Sequence, residues 1–362
     1  MSKSATFGPG RLVVHHRFGS GVVRAVRQDG ACKVEFDALP GAKWIRSDFL
    51  ADPQTHAAAL AAEAGWPAGT FVQEAPDTPH YMGAHWEPFG IDVRDLLTHL
   101  PDMLNAVQVQ SGWATHHAAG HEVPAKWLRG AQLAWPDLDH GVALVLRLDE
   151  QENRLVSFFP FHQQGTQTTL KLRQVSVWDS GVEAQITAAW GEAEVTFFDT
   201  RHVIDRAWYV AGRQYDFILC GLAYDAAPAQ VQSVPFEFTP DVVARLHALL
   251  PADDVPVAGP TTLSFEGAAW LLPVPGWDAD EHRFRGPILD VNPFHDWLGQ
   301  DGWTARVTVM RSGPKGGDQN LDIHMTRRAW KGSEAPRIGQ DIEGQLWLQG
   351  YLWVPHRTER QQ

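Results

Sequence analysis

Only two cysteines occur in 362 residues, Cys32 and Cys220. They lie far apart in apolar, strand-like runs, which suits burial as small hydrophobes and excludes a disulfide framework. Long apolar runs are missing as well. No stretch approaches the roughly 20 uncharged apolar residues of a membrane span, and MSKSATFGPG lacks the apolar core of a signal peptide. The expectation is a cytoplasmic chain without membrane contact. Catalytic signatures are absent too: there is no G-x-x-x-x-G-K-[ST], no HExxH and no G-x-S-x-G, and Gly313-Pro-Lys315 lacks both the spacing and the hydroxyl of a phosphate loop. The paired carboxylates Asp253-Asp254 and Asp278 to Glu281 sit in loop-like surroundings. Adjacency there does not make two carboxylates converge in a cleft with separated pKa values. The chain therefore reads as a binding protein rather than an enzyme, and no cofactor is expected.

Positive charge is the next scarcity. Thirty Lys and Arg stand against 43 Asp and Glu, a net charge of -13. Residues 1 to 50 depart from this, with eight bases against four acids, +4, which leaves -17 for the rest. An acidic body repels a phosphate backbone, so contact with nucleic acid falls to a local basic module, and only the N-terminus qualifies.

What the chain has in abundance is tryptophan, 16 residues, and short apolar runs separated by turn residues. From Gly10 to Leu50 the runs RLVVHHRF, VVRAVR, ACKVEF and AKWIRSDFL alternate with GSG, QDG and ALPG. This pattern describes a small, bent antiparallel barrel of about five strands, SH3-like. In ACKVEF, Cys32, Val34 and Phe36 alternate with Lys33 and Glu35, giving one buried and one wet face. Val13, His15, Phe18, Gly19, Gly21 and Val23, then Val34 and Phe36, then Lys43, Phe49 and Leu50 follow a V-x-H-x-x-F-G-x-G-x-V pattern with its later strands. Val13 to Leu50 thus resembles the Tudor or KOW-type barrel at the C-terminus of UvrD-like bacterial helicases. In those helicases the barrel contacts partner proteins or nucleic acid, so the resemblance implies a docking module without chemistry of its own. Gly19 and Gly21 are expected to flank a turn that needs positive φ.

Beyond the barrel, DPQTHAAALAAEA (52 to 64) reads as a short helix. Trp66 to Gly90 is rich in Pro, Gly and aromatics, and reads as an ordered linker. Asp92 to Val107 has helical apolar spacing with Asp92 as cap and Pro101 as a kink or break. The stretch from 111 to 135 leads through a short helix into strands that begin at Gly141. A series of strands ends in YDFILCGLAY (Tyr215–Tyr224), a helix capped by Thr239 follows, and strands resume and close with EGQLWLQGYLWV (Glu343–Val354). Gly221-Leu-Ala-Tyr224 matches Gly350-Tyr-Leu-Trp353, VTFFDTR (195 to 201) matches LDIHMTR (321 to 327), and Gly212 and Gly339 lead into the two closing runs. The natural reading is a duplication.

The fold class that follows is mostly β with a few helices: an N-terminal SH3/Tudor-like barrel plus two tandem antiparallel β-barrels of OB-like kind. The domain boundaries read 1–52 for the first barrel, 53–138 for a helical connector, 139–234 for the first repeat, 235–258 for a helix and linker, and 259–362 for the second repeat. The candidate binding residues are Arg17, Arg24, Lys43, Trp44 and Arg46 in the N-terminal barrel, and Trp347, Tyr351 and Trp353 in the closing strand. In that strand Gln345, Trp347, Gln349, Tyr351 and Trp353 share one face and Leu346, Leu348, Leu352 and Val354 the other. The aromatic row could stack bases, but acidic surroundings favour packing within the molecule or against a protein. His116, His117 and His121 are the weak candidates for a metal site. Gly120 interrupts the helix that would bring His117 and His121 together, and no cysteine completes a tetrahedral set. The expected role is a non-enzymatic adaptor in bacterial nucleic-acid handling, with a protein partner foremost and nucleic acid as a second ligand through residues 1 to 50. The alternative is a metal-dependent hydrolase using the histidine-rich segment 80–122.

Overall fold

The computed structural model describes residues 7–15, 18–27, 30–36, 41–51, 72–74, 84–111, 129–148, 153–178, 180–206, 209, 214–248, 251, 255–311 and 317–353. Arg17, the histidines 116, 117 and 121 and the expected helix at 52 to 64 lie outside them. The chain is mostly β, with three α-helices among the described residues.

The N-terminal sheet consists of β1 (Leu12–His15), β2 (Gly19–Val26), β3 (Ala31–Phe36), β4 (Ala42–Arg46) and β5 (Leu50–Ala51), antiparallel in the order β4-β3-β2-β1-β5. It is a curled half-barrel. Val13, Val23, Cys32, Val34, Phe36, Ile45 and Leu50 fill it, and Lys33 and Glu35 point out. Each such aliphatic or aromatic side chain taken from water contributes about 1.5–3 kcal/mol. Gly21 differs from expectation in its reason. It lies inside β2 without positive φ, and glycine is needed because a Cβ there would sit 2.7 Å from the Glu35 carbonyl oxygen across the strand pair.

After β6 (Val72–Glu74) and a 3-10 segment, Ala84–Phe89, comes α1 (Val93–Asn105), whose N-cap Asp92 accepts from the Arg94 N–H at 2.8 Å. Pro101 is accommodated within one continuous helix. Then β7 (Gln108–Ser111), β8 (Arg129–Pro136), β9 (His140–Leu148) and β10 (Asn153–His162) form a separate four-stranded sheet in the order β10-β9-β8-β7. The segment 129–136, read as part of a helical lead-in, is strand because its burial alternates. Gly130, Gln132 and Ala134 face inward, and Ala131, Leu133 and Trp135 are half-buried on the other side.

Most of the remaining strands make two closed rings. They are β11 (Thr166–Val177), β12 (Ala184–Trp190), β13 (Ala193–Asp199), the short α2 (His202–Asp205) and the long β14 (Gln214–Pro228). There follow β15 (Ser233–Phe238), α3 (Pro240–His247) and β16 (Gly259–Ser264), with Thr239 capping α3 and β15 pairing β16 as a side ribbon. The second set is β17 (Trp270–Pro273), β18 (Glu281–Trp297), β19 (Gln300–Met310), β20 (Gln319–Thr326) and β21 (Asp341–Leu352). The first ring runs β11-β12-β13-β21-β14 and closes back on β11. The second runs β18-β19-β20-β14-β21 and closes back on β18.

The two rings share β14 and β21. These run antiparallel with Cys220 opposite Gln349, and each of those residues directly precedes the matched glycine of its own copy, Gly221 or Gly350. The pairing is palindromic about that point: β13 lies parallel to β21 and β20 parallel to β14. The two strand ends that match in sequence therefore meet in one pair, and the rings on either side interlock, each completed by the other's closing strand. Leu346, Leu348 and Leu352 fill the interior, as their period-two spacing requires.

Candidate functional site

The aromatic row of β21 meets the four-stranded sheet. Trp347 is fully buried and its indole N–H donates to Asp280 Oδ2 at 3.0 Å. Gln349 Nε2 donates to the Pro160 carbonyl at 2.8 Å, the Tyr351 hydroxyl to the Gln163 carbonyl at 2.7 Å, and Cys220 Sγ to the His162 carbonyl at 3.6 Å. These acceptors lie on and just beyond β10, an edge strand that pairs only with β9 among the described residues. The row thus satisfies an edge that would otherwise stay open to pairing. Trp347 is committed to the interior, while Tyr351, held by the Gln163 carbonyl, and Trp353 are both half-buried. Burial pushes the Tyr351 phenol up to about 12.

Buried polar groups cluster around the same seam. His85 stacks on Trp347 at 3.6 Å between ring centres and lies 3.4 Å from Glu281, which accepts from the Tyr224 hydroxyl at 2.8 Å. His85 is 1% exposed, which shuts the one described histidine of the 80–85 region away from solvent. A second group stacks His162 on His324 at 4.0 Å with His140 beyond. Thr304 Oγ1 meets His324 Nδ1 at 2.9 Å, and His324 Nε2 meets the Gln164 carbonyl at 3.1 Å. Since a carbonyl only accepts, Nε2 carries the proton and Nδ1 accepts from the threonine. Burial lowers the pKa of His324 to about 4 and lowers that of His162 as well. Stacked neutral rings turn their faces to each other, and their lone pairs do not converge. Among the described residues no group of three or more His, Cys, Asp or Glu is placed to hold a metal ion.

The basic candidates of the N-terminal barrel divide. Arg46 binds the body: Nη1 donates to Asp216 Oδ2, and the guanidinium lies 5.3 Å from the Trp353 ring and 5.7 Å from that of Phe49. Asp216 also accepts from Thr169 Oγ1 at 2.6 Å and Gln167 Nε2 at 3.0 Å, and its carbonyl takes the Trp353 N–H at 3.0 Å. Arg46 and Trp353 together fasten the barrel to β14 and β21. Lys43 alternates with Trp44 along β4 and so leaves on the opposite side, its Nζ 5.7 Å from the Phe18 ring.

Arg24 and Trp44 do come together on the outer face of β2 to β4. Register places Lys33 opposite Trp44, Arg27 lies 5.4 Å over the Trp44 ring, and Arg24 pairs with Glu35 at 2.6 Å. Three bases against one acid surround one half-buried tryptophan, and all four charged side chains are exposed. Arg27 and Lys33 were missed as candidates. The alternation in ACKVEF already put Lys33 outside, whereas the position of Arg27 depends on the chain turning back after β2. No family model matches the chain, and neither a curated protein nor a solved structure matches it.

Proposed function

We propose that the protein is a non-enzymatic adaptor whose N-terminal barrel docks an acidic partner through the outer face of β2 to β4. The observation that carries this reading is the division of labour among the barrel's bases. Arg46 holds the barrel on the body, while Arg24, Arg27 and Lys33 stand exposed around Trp44, which lies two residues earlier on the same side of β4. A basic rim around an aromatic anchor is the chemistry of a docking surface. The resemblance of Val13 to Leu50 to the C-terminal barrel of UvrD-like bacterial helicases supports the same role and favours nucleic-acid handling as its setting. A protein partner is the first reading because β4 is an edge strand among the described residues, open to an added strand. Direct binding of single-stranded nucleic acid is the second, favoured by Trp44 beneath Arg27, a ring that could stack a base beside a phosphate-binding cation.

The test titrates labelled single-stranded DNA, duplex DNA and RNA against the whole protein and against Arg27→Glu/Lys33→Glu at two salt concentrations. With three bases at most, the log-log salt slope on single strands should be about -2 or shallower, and binding should vanish in the variant. If no salt-dependent binding occurs, nucleic acid drops out and the protein partner remains. A steeper slope retained in the variant would place nucleic-acid contact elsewhere and contradict this face.

A further inference from the structure

A cavity of about 570 Å³ opens between α1, β8 and the tip of the β18–β19 hairpin. That volume lies within the range of about 300–1,000 Å³ usual for small-molecule sites. Its floor and walls are apolar: Leu96 and Met103 are buried on α1, and Trp135 and Leu298 approach from the other two elements. Its rim is acidic. Asp95, His99 and Asp102 follow one another at i, i+4 and i+7, which sets them on one stripe of the helix, and all three are exposed. No Lys or Arg lines it among the described residues.

The hairpin tip beside the cavity is held in one conformation. Asp296 (φ 54°) and Leu298 (φ 53°) are the only non-glycine residues with positive φ among the described residues. Leucine avoids that conformation, so the surrounding structure must impose it. Trp297 does so: it is 1% exposed and wedged edge-on against Phe89 at 4.8 Å and His162 at 5.0 Å. With Trp297 fixed inward, the next residue is turned to the cavity.

We infer that this cavity binds a small organic cation with an apolar body, an aryl- or alkylammonium. One carboxylate of the rim, Asp95 or Asp102, receives the ammonium group, and Leu96, Met103, Trp135 and Leu298 cover the apolar part. A carboxylate ligand would meet the like charges of Asp95 and Asp102, and a diffusely charged polyamine would leave the apolar walls uncovered.

Calorimetry or ligand-detected NMR on the whole protein, using three indoles of one shape, tests this. Tryptamine should bind saturably, neutral tryptophol more weakly, and indole-3-acetate not at all; phenethylamine and hexylamine run alongside so that ring shape does not decide the outcome. Asp95→Asn/Asp102→Asn changes only exposed helix positions and should weaken tryptamine about tenfold while leaving tryptophol unchanged, since one charged hydrogen-bond partner is lost. Leu298→Asn, a residue that accepts left-handed φ, should keep the fold by circular dichroism and weaken both. The inference fails if none of the three amines binds saturably, if tryptophol binds as tightly as tryptamine, or if tryptamine binds the double variant as well as the wild type.

Discussion

Arg46 shows how one side chain can do a different job from its neighbours of the same charge. Its guanidinium reaches a carboxylate that already has two other donors, and two aromatic rings flank it. Arg46→Ala leaves the Asp216 charge, 9% exposed at its side chain, short of one partner. The expected loss is about 1–3 kcal/mol in denaturant unfolding, and Arg24→Ala at the exposed pair should cost under about 1 kcal/mol. Equal costs would show that Arg46 does not fasten the barrel. The histidines supply a pH test. His282 and His324 titrate near 4 in the fold because burial disfavours the cation, against an ordinary value of 6.5. The unfolded chain therefore binds protons first as pH falls. Their contribution is complete above about pH 7, is lost between roughly 6.5 and 4, and is on the order of 3 kcal/mol for each. His324→Gln should lower stability at pH 7 yet give a shallower decline from pH 7 to 4.5; an unchanged slope would contradict a neutral buried imidazole.

At the scale of elements, β14 and β21 decide the fold, and their glycines mark where backbones approach. A Cβ at Gly344 would lie 2.1 Å from the Asp225 carbonyl oxygen, backbone that cannot swing aside. At Gly221 it would meet a Leu346 methyl at 2.8 Å, the flexible end of a side chain. Gly344→Ala should therefore cost more than about 3 kcal/mol, and Gly221→Ala about 1–2, by chemical denaturation. The reverse order would mean that the strands do not cross as described. Much of this was legible beforehand. The repeated Gly221 and Gly350 landmarks, the aliphatic and aromatic faces of the closing strand and the caps Asp92 and Thr239 are local patterns, and local patterns survive in sequence. That β14 completes the second ring and β21 the first was not legible, because pairing between distant strands leaves no period in either one. The Leu298 cavity was hidden for the same reason: its walls come from residues 96, 135 and 298, which no spacing connects.

For the whole molecule, interlocking makes the two repeats interdependent. Each ring needs one strand from the other's half, so neither 1–234 nor 235–362 should fold alone, while the two fragments expressed together should associate and regain β-sheet circular dichroism. A cooperative melt from either fragment by itself would argue for separable barrels. Arg46 fastens the N-terminal barrel to the body, and the proposed docking of a partner on the exposed bases around Trp44 is the claim with the widest consequence. The most direct measurement compares what co-purifies, protein and nucleic acid together, from the native cells with the whole protein and with Arg27→Glu/Lys33→Glu/Trp44→Ala at equal folded yield. The docking account predicts that the bound complement of the wild type is lost from the variant; an identical complement on both would contradict it.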